Sequence, residues 1–508
     1  MSMKTPFFSA FGSLLFGRRA HRQVPQIPED LNLLRGVFGS HVPKGALAQA
    51  RSGPNSRRRF FSTDATFWAF LFQVLSPACA CREVVRKLQA CWTVCRRKKM
   101  AAGTAAYCQA RGRMKLTALE KIFRALAATL ERRILGRERW LGRRRVKILD
   151  GTGLSMPDTR KNQQRWPQSK GQKPGCGFPI LRMVGLFCLS SGAMLRYAFG
   201  NKHDQENHLA RRVLDGLEGG DVLLADRGFC SYGLFGVMLA RGVDCVMRLH
   251  QRRSHDMQQG TPLGQGDRLV EWTRPPAPRR NDPWAAERPT LPASLAVRLV
   301  NFRVEVPGFR TEQVTLATTL LDAETYPAEE LAALYRARWN IELRYGERVA
   351  RQRPRTIRGA HSAPPPERQI KTTMGADVLR CKSPAMIEKE LCMNAIGYNL
   401  IRCVMQEAAQ RHDVELERIS FKGSLDTVRH FADAIHAATG KPRCQSRLYD
   451  ELLAIIASDP LPARPDRNEP RARKRRPKQY QLLTKPRHQM RVIPHRNRYR
   501  ADDQEGLK

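Results

Sequence analysis

Between residues 146 and 249 the chain alternates in a way that few folds can satisfy. Residues 146–150 (VKILD), 180–189 (ILRMVGLFCL), 193–199 (AMLRYAF), 222–226 (VLLAD) and 245–249 (CVMRL) are apolar runs of strand length, rich in the branched side chains that suit a pleated sheet. The second and third runs meet at Ser190-Ser191-Gly192, which reads as a hairpin turn. An amphipathic stretch over 204–217 and a second helical stretch near 232–240 separate the remaining runs. The order is three strands, helix, strand, helix, strand. A hairpin followed by strand–helix crossovers predicts a mixed α/β sheet.

The flanks differ from this centre. Residues 66–135 read as helical, most clearly where Leu116, Leu119, Ile122, Phe123, Leu126, Leu130 and Ile134 form a 3.6-residue stripe. The run Arg96-Arg97-Lys98-Lys99 among these helices suits a solvated face and a DNA contact equally well. Residues 250–290 are polar and Pro-rich, and 295–306 and 313–320 then alternate as strands. Helices return over 328–345, over 384–402 with Ser383 as N-cap and Pro384 in first position, and around 447–457. The expected organisation is a flexible basic leader (1–60) and an N-terminal helical, DNA-binding domain (61–145). The core follows in two parts, 146–249 and 326–458, divided by a β-rich insertion (250–325), and a basic tail (459–508) ends the chain.

Charge narrows the function. The 508 residues carry 89 Lys and Arg against 47 Asp and Glu, a formal +42. That surplus repels itself in a compact state, so an anionic partner is expected, nucleic acid before an anionic membrane. The membrane reading fails on length. Residues 7–16 are broken by Ser and Gly, and 67–80 contain Gln73 and Pro77 and are too short to span a bilayer. The 13 cysteines are scattered, with no paired CxxC units, so neither a disulfide framework nor a zinc knuckle is expected. A soluble cytoplasmic protein follows. At 42% hydrophobic the chain can bury a sizeable core, which excludes disorder throughout.

Three acids carry the chemistry. Asp150 and Asp226 each close a short apolar strand, and in open α/β sheets sites assemble at the carboxyl ends of strands. Two desolvated carboxylates repel each other, and a hard divalent cation resolves that. Either one alone would more simply cap a turn. The third acid changes the balance. Tyr335, Arg338 and Glu342 are spaced by three and four and share one helical face, suited to phosphate and metal together.

In this order the residues resemble the DDE transposases of bacterial insertion sequences, in the IS-four family that includes the Tn-five and Tn-ten transposases. Asp150-Gly151-Thr152 matches the first motif and Asp226-Arg227-Gly228-Phe229 the second. Tyr335, Arg338 and Glu342 match the third, Tyr-x2-Arg-x3-Glu-x6-Lys. The final lysine departs from the pattern, because position 349 is Val. Removing 346–367 joins the signature helix to Arg368-Gln369-Ile370-Lys371 and restores the x6 spacing. A 22-residue insert with Lys371 as the displaced lysine is therefore inferred.

The resemblance implies an RNase H-like core and two-metal phosphoryl transfer at element ends. Asp150, Asp226 and Glu342 would hold two Mg²⁺ (or Mn²⁺) ions, and Tyr335, Arg338 and Lys371 would bind DNA phosphates. It implies double-stranded DNA with terminal inverted repeats, a target DNA, a homodimer in the synaptic complex, and a bacterial, nucleoid-associated location. The alternative is an impaired copy, disabled by the insert, that only binds DNA or inhibits relatives. Trp272 and Trp284 lie in the β-rich region, where packing competes with stacking on a flipped base. Trp339 in the signature helix reads as core. Residues 169–175 lack the order of a phosphate-binding GxxxxGK loop and read as a flexible loop. The spacing of His203 and His208 suits joint metal ligation poorly.

Overall fold

The structure is a computed structural model and describes residues 34–48, 60–76, 78–96, 100–134, 138–276, 282–304, 312–342, 369, 373–458, 460 and 483–490. From within the leader, a helical turn α1 (Arg35–Phe38) buries Val37 and Phe38. The N-terminal helices are α2 (Thr63–Leu75), α3 (Cys81–Arg96), α4 (Ala105–Arg113) and α5 (Leu116–Arg132). Strand β1 (Val146–Ser155) is followed by the short α6 (Arg160–Arg165), β2 (Ile180–Cys188), β3 (Met194–Asn201) and α7 (Glu206–Arg211). Then come β4 (Val222–Ala225), α8 (Tyr232–Ala240) and β5 (Asp244–Arg248). Strands β6 (Thr261–Gly264), β7 (Asp267–Thr273), β8 (Ser294–Val304) and β9 (Glu312–Thr318) precede α9 (Ala328–Glu342). Three helices follow: α10 (Pro384–Arg411), α11 (Phe421–Ala437) and α12 (Pro442–Ser458).

The nine strands form one sheet in the order β3-β2-β1-β4-β5-β9-β8-β7-β6. β1, β2 and β3 pair antiparallel, and β1, β4 and β5 pair parallel. That five-strand pattern is the RNase H-like arrangement, so the expected mixed α/β core is present. The β-rich segment continues it: β9 pairs antiparallel with β5, and β8, β7 and β6 add outward as a meander.

Two expectations are corrected. β1 does not stop at Asp150 in a turn over Gly151–Gly153. Those residues stay paired with Val184, Met183 and Arg182 of β2, while the pairing with β4 ends at Leu149–Ala225. Antiparallel hydrogen bonding to the longer neighbour carries the strand past the acid. The amphipathic stretch 204–217 is not one helix but α7 followed by a 3₁₀ turn at Leu214–Gly216.

The core lies between the sheet and α10. This helix buries residues around its circumference and packs against α2, α5, α11 and α12. The predicted stripe of α5 does the same, with Leu119, Ile122, Phe123, Leu126 and Leu130 buried. Polar side chains on α10 satisfy the backbone of the β2–β3 turn, where Gly192 has a φ of +66°. The Asn399 side chain accepts from the Met194 N–H (3.0 Å) and donates to the Met194 carbonyl (2.9 Å). Arg402 Nε donates to the Ser191 carbonyl (2.8 Å) and the Tyr398 hydroxyl to that of Gly192 (2.5 Å). Buried polar groups must find partners, so this network fixes where the hairpin meets the helix.

Ser62, Ser231 and Ser420 cap α2, α8 and α11 through their side chains. Ser383 occupies the N-cap of α10 as expected but makes no side-chain capping bond. Trp272 is buried beside Phe235, with ring centroids 5.1 Å apart, and Trp284 is buried against Gly233. Both rings therefore pack. The loop over 169–177 is tied down, with Arg487 from the C-terminal segment donating to the carbonyls of Gly175 and Gly177 and pairing with Asp158. No helix among the described residues is long and apolar enough to cross a membrane.

Candidate active site

The two aspartates are brought together by strand register. Leu149 faces Ala225 in the parallel β1–β4 pair, so the next residue on each strand is an acid, on backbones about 4.8 Å apart. Each is held by its local backbone. Asp150 Oδ1 accepts the Gly151 N–H (2.9 Å), and Asp226 Oδ1 accepts the Gly228 N–H (2.8 Å). The second bond shapes the turn that ends β4, a common use of Asp side chains. Both carboxylates keep partial exposure at the open edge of a buried strand pair.

The signature helix arrives over Asp150. Arg338 is 2% exposed, and its Nη2 lies 3.7 Å from Asp150 Oδ1. Its guanidinium stands 5.7 Å from the centroid of the Tyr335 ring, which is itself buried at 1% exposure. Tyr335 thus supports Arg338 from the helix turn before it. Glu342 is the last residue of α9 and lies four positions beyond Arg338, on the same helical face. Its side chain, that of Trp339, residues 346–367 and Lys371 lie outside the described residues.

A further acid was not singled out in the sequence. Glu206, the first residue of α7, sits against the Asp150-Gly151 peptide: a Cβ on Gly151 would fall 2.9 Å from its Cδ. Its Oε1 pairs with Arg182 Nε of β2 at 3.6 Å. The adjacent Asn207 donates from Nδ2 to the Gly228 carbonyl at 3.2 Å. The start of α7 therefore ties the Asp150 strand to the Asp226 turn. The available signal was Gly151 itself, since a strand glycine marks a close approach.

The donor chemistry fits a hard divalent cation. Two adjacent carboxylates repel, and the Arg338 guanidinium stands beside Asp150. Among the described residues no three His, Cys, Asp or Glu converge into a complete metal site, and the third expected ligand, Glu342, is the one whose side chain is undescribed. His203 donates its backbone N–H to Asn201 Oδ1 (2.8 Å) at the end of β3.

The transposase DDE domain family matches residues 141–357, a range that takes in β1, both aspartates and the whole of α9. The chain is 27% identical over 381 residues to the transposase InsG of insertion sequence element IS4 from Escherichia coli (strain K12), covering 74% of this chain and 78% of that protein. Among solved structures it resembles the piggyBac transposase in a synaptic complex with hairpin DNA, at 10% identity, covering 85% of this chain and 86% of that one. The TM-score of 0.42 is too low to argue from.

Proposed function

We propose that this chain is a DDE transposase of the IS4 insertion-sequence family, which its similarity to the transposase DDE domain family and to an IS4 transposase supports, and that it cuts and joins DNA at element ends by metal-assisted phosphoryl transfer. Divalent metal use is general in this family. Asp150, Asp226 and Glu342 would hold two Mg²⁺ (or Mn²⁺) ions. When bound, such ions activate the attacking oxygen and stabilise the leaving one in an in-line displacement. The observation that carries the reading is the Leu149–Ala225 register, with Arg338 reaching Asp150 from one turn before Glu342.

The chain's own residues supply position and charge. Arg338 offers a planar fork suited to a phosphate oxygen pair. Tyr335 braces it from beneath, and Lys371 adds a point charge on the phosphates. Glu206 and Asn207 act through others, keeping the Asp150 strand and the Asp226 turn at a fixed separation. The partners are double-stranded DNA bearing terminal inverted repeats and a target DNA, with two copies of the chain in the synaptic state, in the cytoplasm beside the nucleoid.

The test is cleavage of a duplex carrying the element's ends by the full chain, with and without Mg²⁺. Asp226→Asn keeps the acceptor for the Gly228 N–H, so the fold stands and cutting is lost. Cutting by Asp226→Asn at the wild-type rate, or in excess chelator, would refute the assignment.

A further inference from the structure

A cavity of about 570 Å³ lies at the seam between the N-terminal helices and α10, bordered by α2, α4 and residues 374–383. On its wall is Arg111, only 7% exposed. Phe70 and Tyr107 flank its guanidinium at 5.0 and 4.9 Å from their ring centroids. Nη1 donates to Gln73 Oε1 (3.1 Å) and Nη2 to the Cys81 sulfur (3.2 Å), while Nε meets no acceptor among the described residues. No described carboxylate forms an ion pair with it. A buried charge without a counter-ion is costly, so structures that keep one supply its partner from somewhere.

The lining supplies a single acid against four cations. Burial pushes the Cys108 and Cys381 thiols up, so they stay neutral. Glu390 is the one acid facing the cavity; burial raises it, while the backbone N–H groups of Arg380 and Cys381 that its oxygens accept, and the nearby Arg111 charge, lower it. The other charges are all positive: Lys161, Arg380 and Lys382. Ser383, the N-cap, and Met386, in the first turn of the 28-residue α10, also face the cavity, so the positive end of the helix dipole points the same way.

We propose that this cavity is an anion site that takes a phosphate group, with Arg111 at its base and Lys161 and Lys382 at its rim. The shared chemistry is a tetrahedral oxyanion, whether on a DNA backbone or on a free polyphosphate. The inference stands on the cavity's charges and does not depend on the transposition chemistry.

Cys81 and Cys108 line the cavity and are partly exposed, as is Cys444 on α12, which gives a local readout. The full chain is alkylated with iodoacetamide at constant ionic strength, with pyrophosphate or a short DNA duplex as probe, and each thiol is followed by mass spectrometry. Pyrophosphate at about nine times its Kd slows modification of Cys81 and Cys108 about tenfold by mass action and leaves Cys444 unchanged. The exposed pair Lys161→Ala/Lys382→Ala loses the protection while its unprotected rates match wild type. Protection by DNA as well identifies the backbone as the source, and protection by pyrophosphate alone identifies a free phosphate compound. Protection by neither probe, protection matched by sodium chloride, or protection intact in the double variant overturns the proposal.

Discussion

Removing the charge of Arg338 isolates the electrostatic logic of the candidate site. Arg338→Met keeps much of the length and apolar stem of a side chain that is 2% exposed but leaves Asp150 without the cation 3.7 Å away. At an effective dielectric of about 20, that attraction is about 4.5 kcal/mol. The neighbouring Asp226, at about 5 Å, repels by about 3 kcal/mol on the same scale. Breaking a buried pair by deleting one partner typically costs about 3–5 kcal/mol, and partial exposure of Asp150 pulls the figure to the lower end, about 3. The variant should therefore unfold at lower urea concentration than wild type in chelator. In saturating Mn²⁺ the gap should shrink, because a divalent ion on the aspartates replaces the missing counter-charge and stabilises the native state by mass action. Equal stability of the two proteins in chelator would show that Arg338 does not neutralise Asp150. A gap that Mn²⁺ leaves unchanged would show that the ion binds elsewhere.

Three other perturbations have defined directions. Lys147, 1% exposed, pairs with the fully buried Asp221 (2.9 Å) and with Glu131 (3.2 Å); Lys147→Met should cost about 3 kcal/mol, with part recovered in Lys147→Met/Asp221→Asn, measured by urea unfolding. His41, buried beside Tyr449 and Glu407, is lowered from 6.5 to about 4, chiefly by burial. The unfolded chain therefore takes up a proton at higher pH than the folded one, so this residue's contribution is intact above about pH 6.5 and declines towards pH 4, by at most about 3 kcal/mol; a His41→Asn variant whose stability falls as steeply as wild type over that window would contradict this. Asn399→Leu removes both bonds to Met194 and leaves a buried N–H and C=O unpaired, at a cost of about 2–4 kcal/mol, seen as a lowered melting temperature and faster amide exchange at the β2–β3 turn.

Local pattern explains what the sequence made readable. The runs 222–226 and 232–240 are each surrounded by their own turn and cap residues, and β4 and α8 fall there. Ser190-Ser191-Gly192 marks a hairpin because a left-handed glycine is needed, and Gly192 is that residue. What escaped depends on distant partners. Asp150 looks like a strand end until β2 is known to continue beside it. The meander β6–β9 looks like a separate insertion until β9 is seen on the edge of β5. α11 is different: Phe421, Leu425, Val428, Ala432 and Ile435 form a regular buried stripe, but Gly423 and two histidines dilute its apolar signal.

The site shows the same division and adds a physical reason for it. Asp150, Asp226 and Arg338 could be singled out because the pattern that marks them is carried by spacing along single elements. Glu206 could not, because its position is set by the close approach of α7 to Gly151. Yet Glu206 matters to the charge balance. Its pairing with Arg182 at 3.6 Å engages one cation of β2, and Arg338 faces Asp150 from the other side. Among the described residues Asp150 and Glu206 each meet a guanidinium group at these strand ends, and Asp226 adds a further carboxylate, in a protein whose total is +42. On the proposed function, carboxylates gathered against so basic a background would draw a cation to these strand ends while the surrounding surface draws DNA, and the two recruitments need not compete for the same side chains.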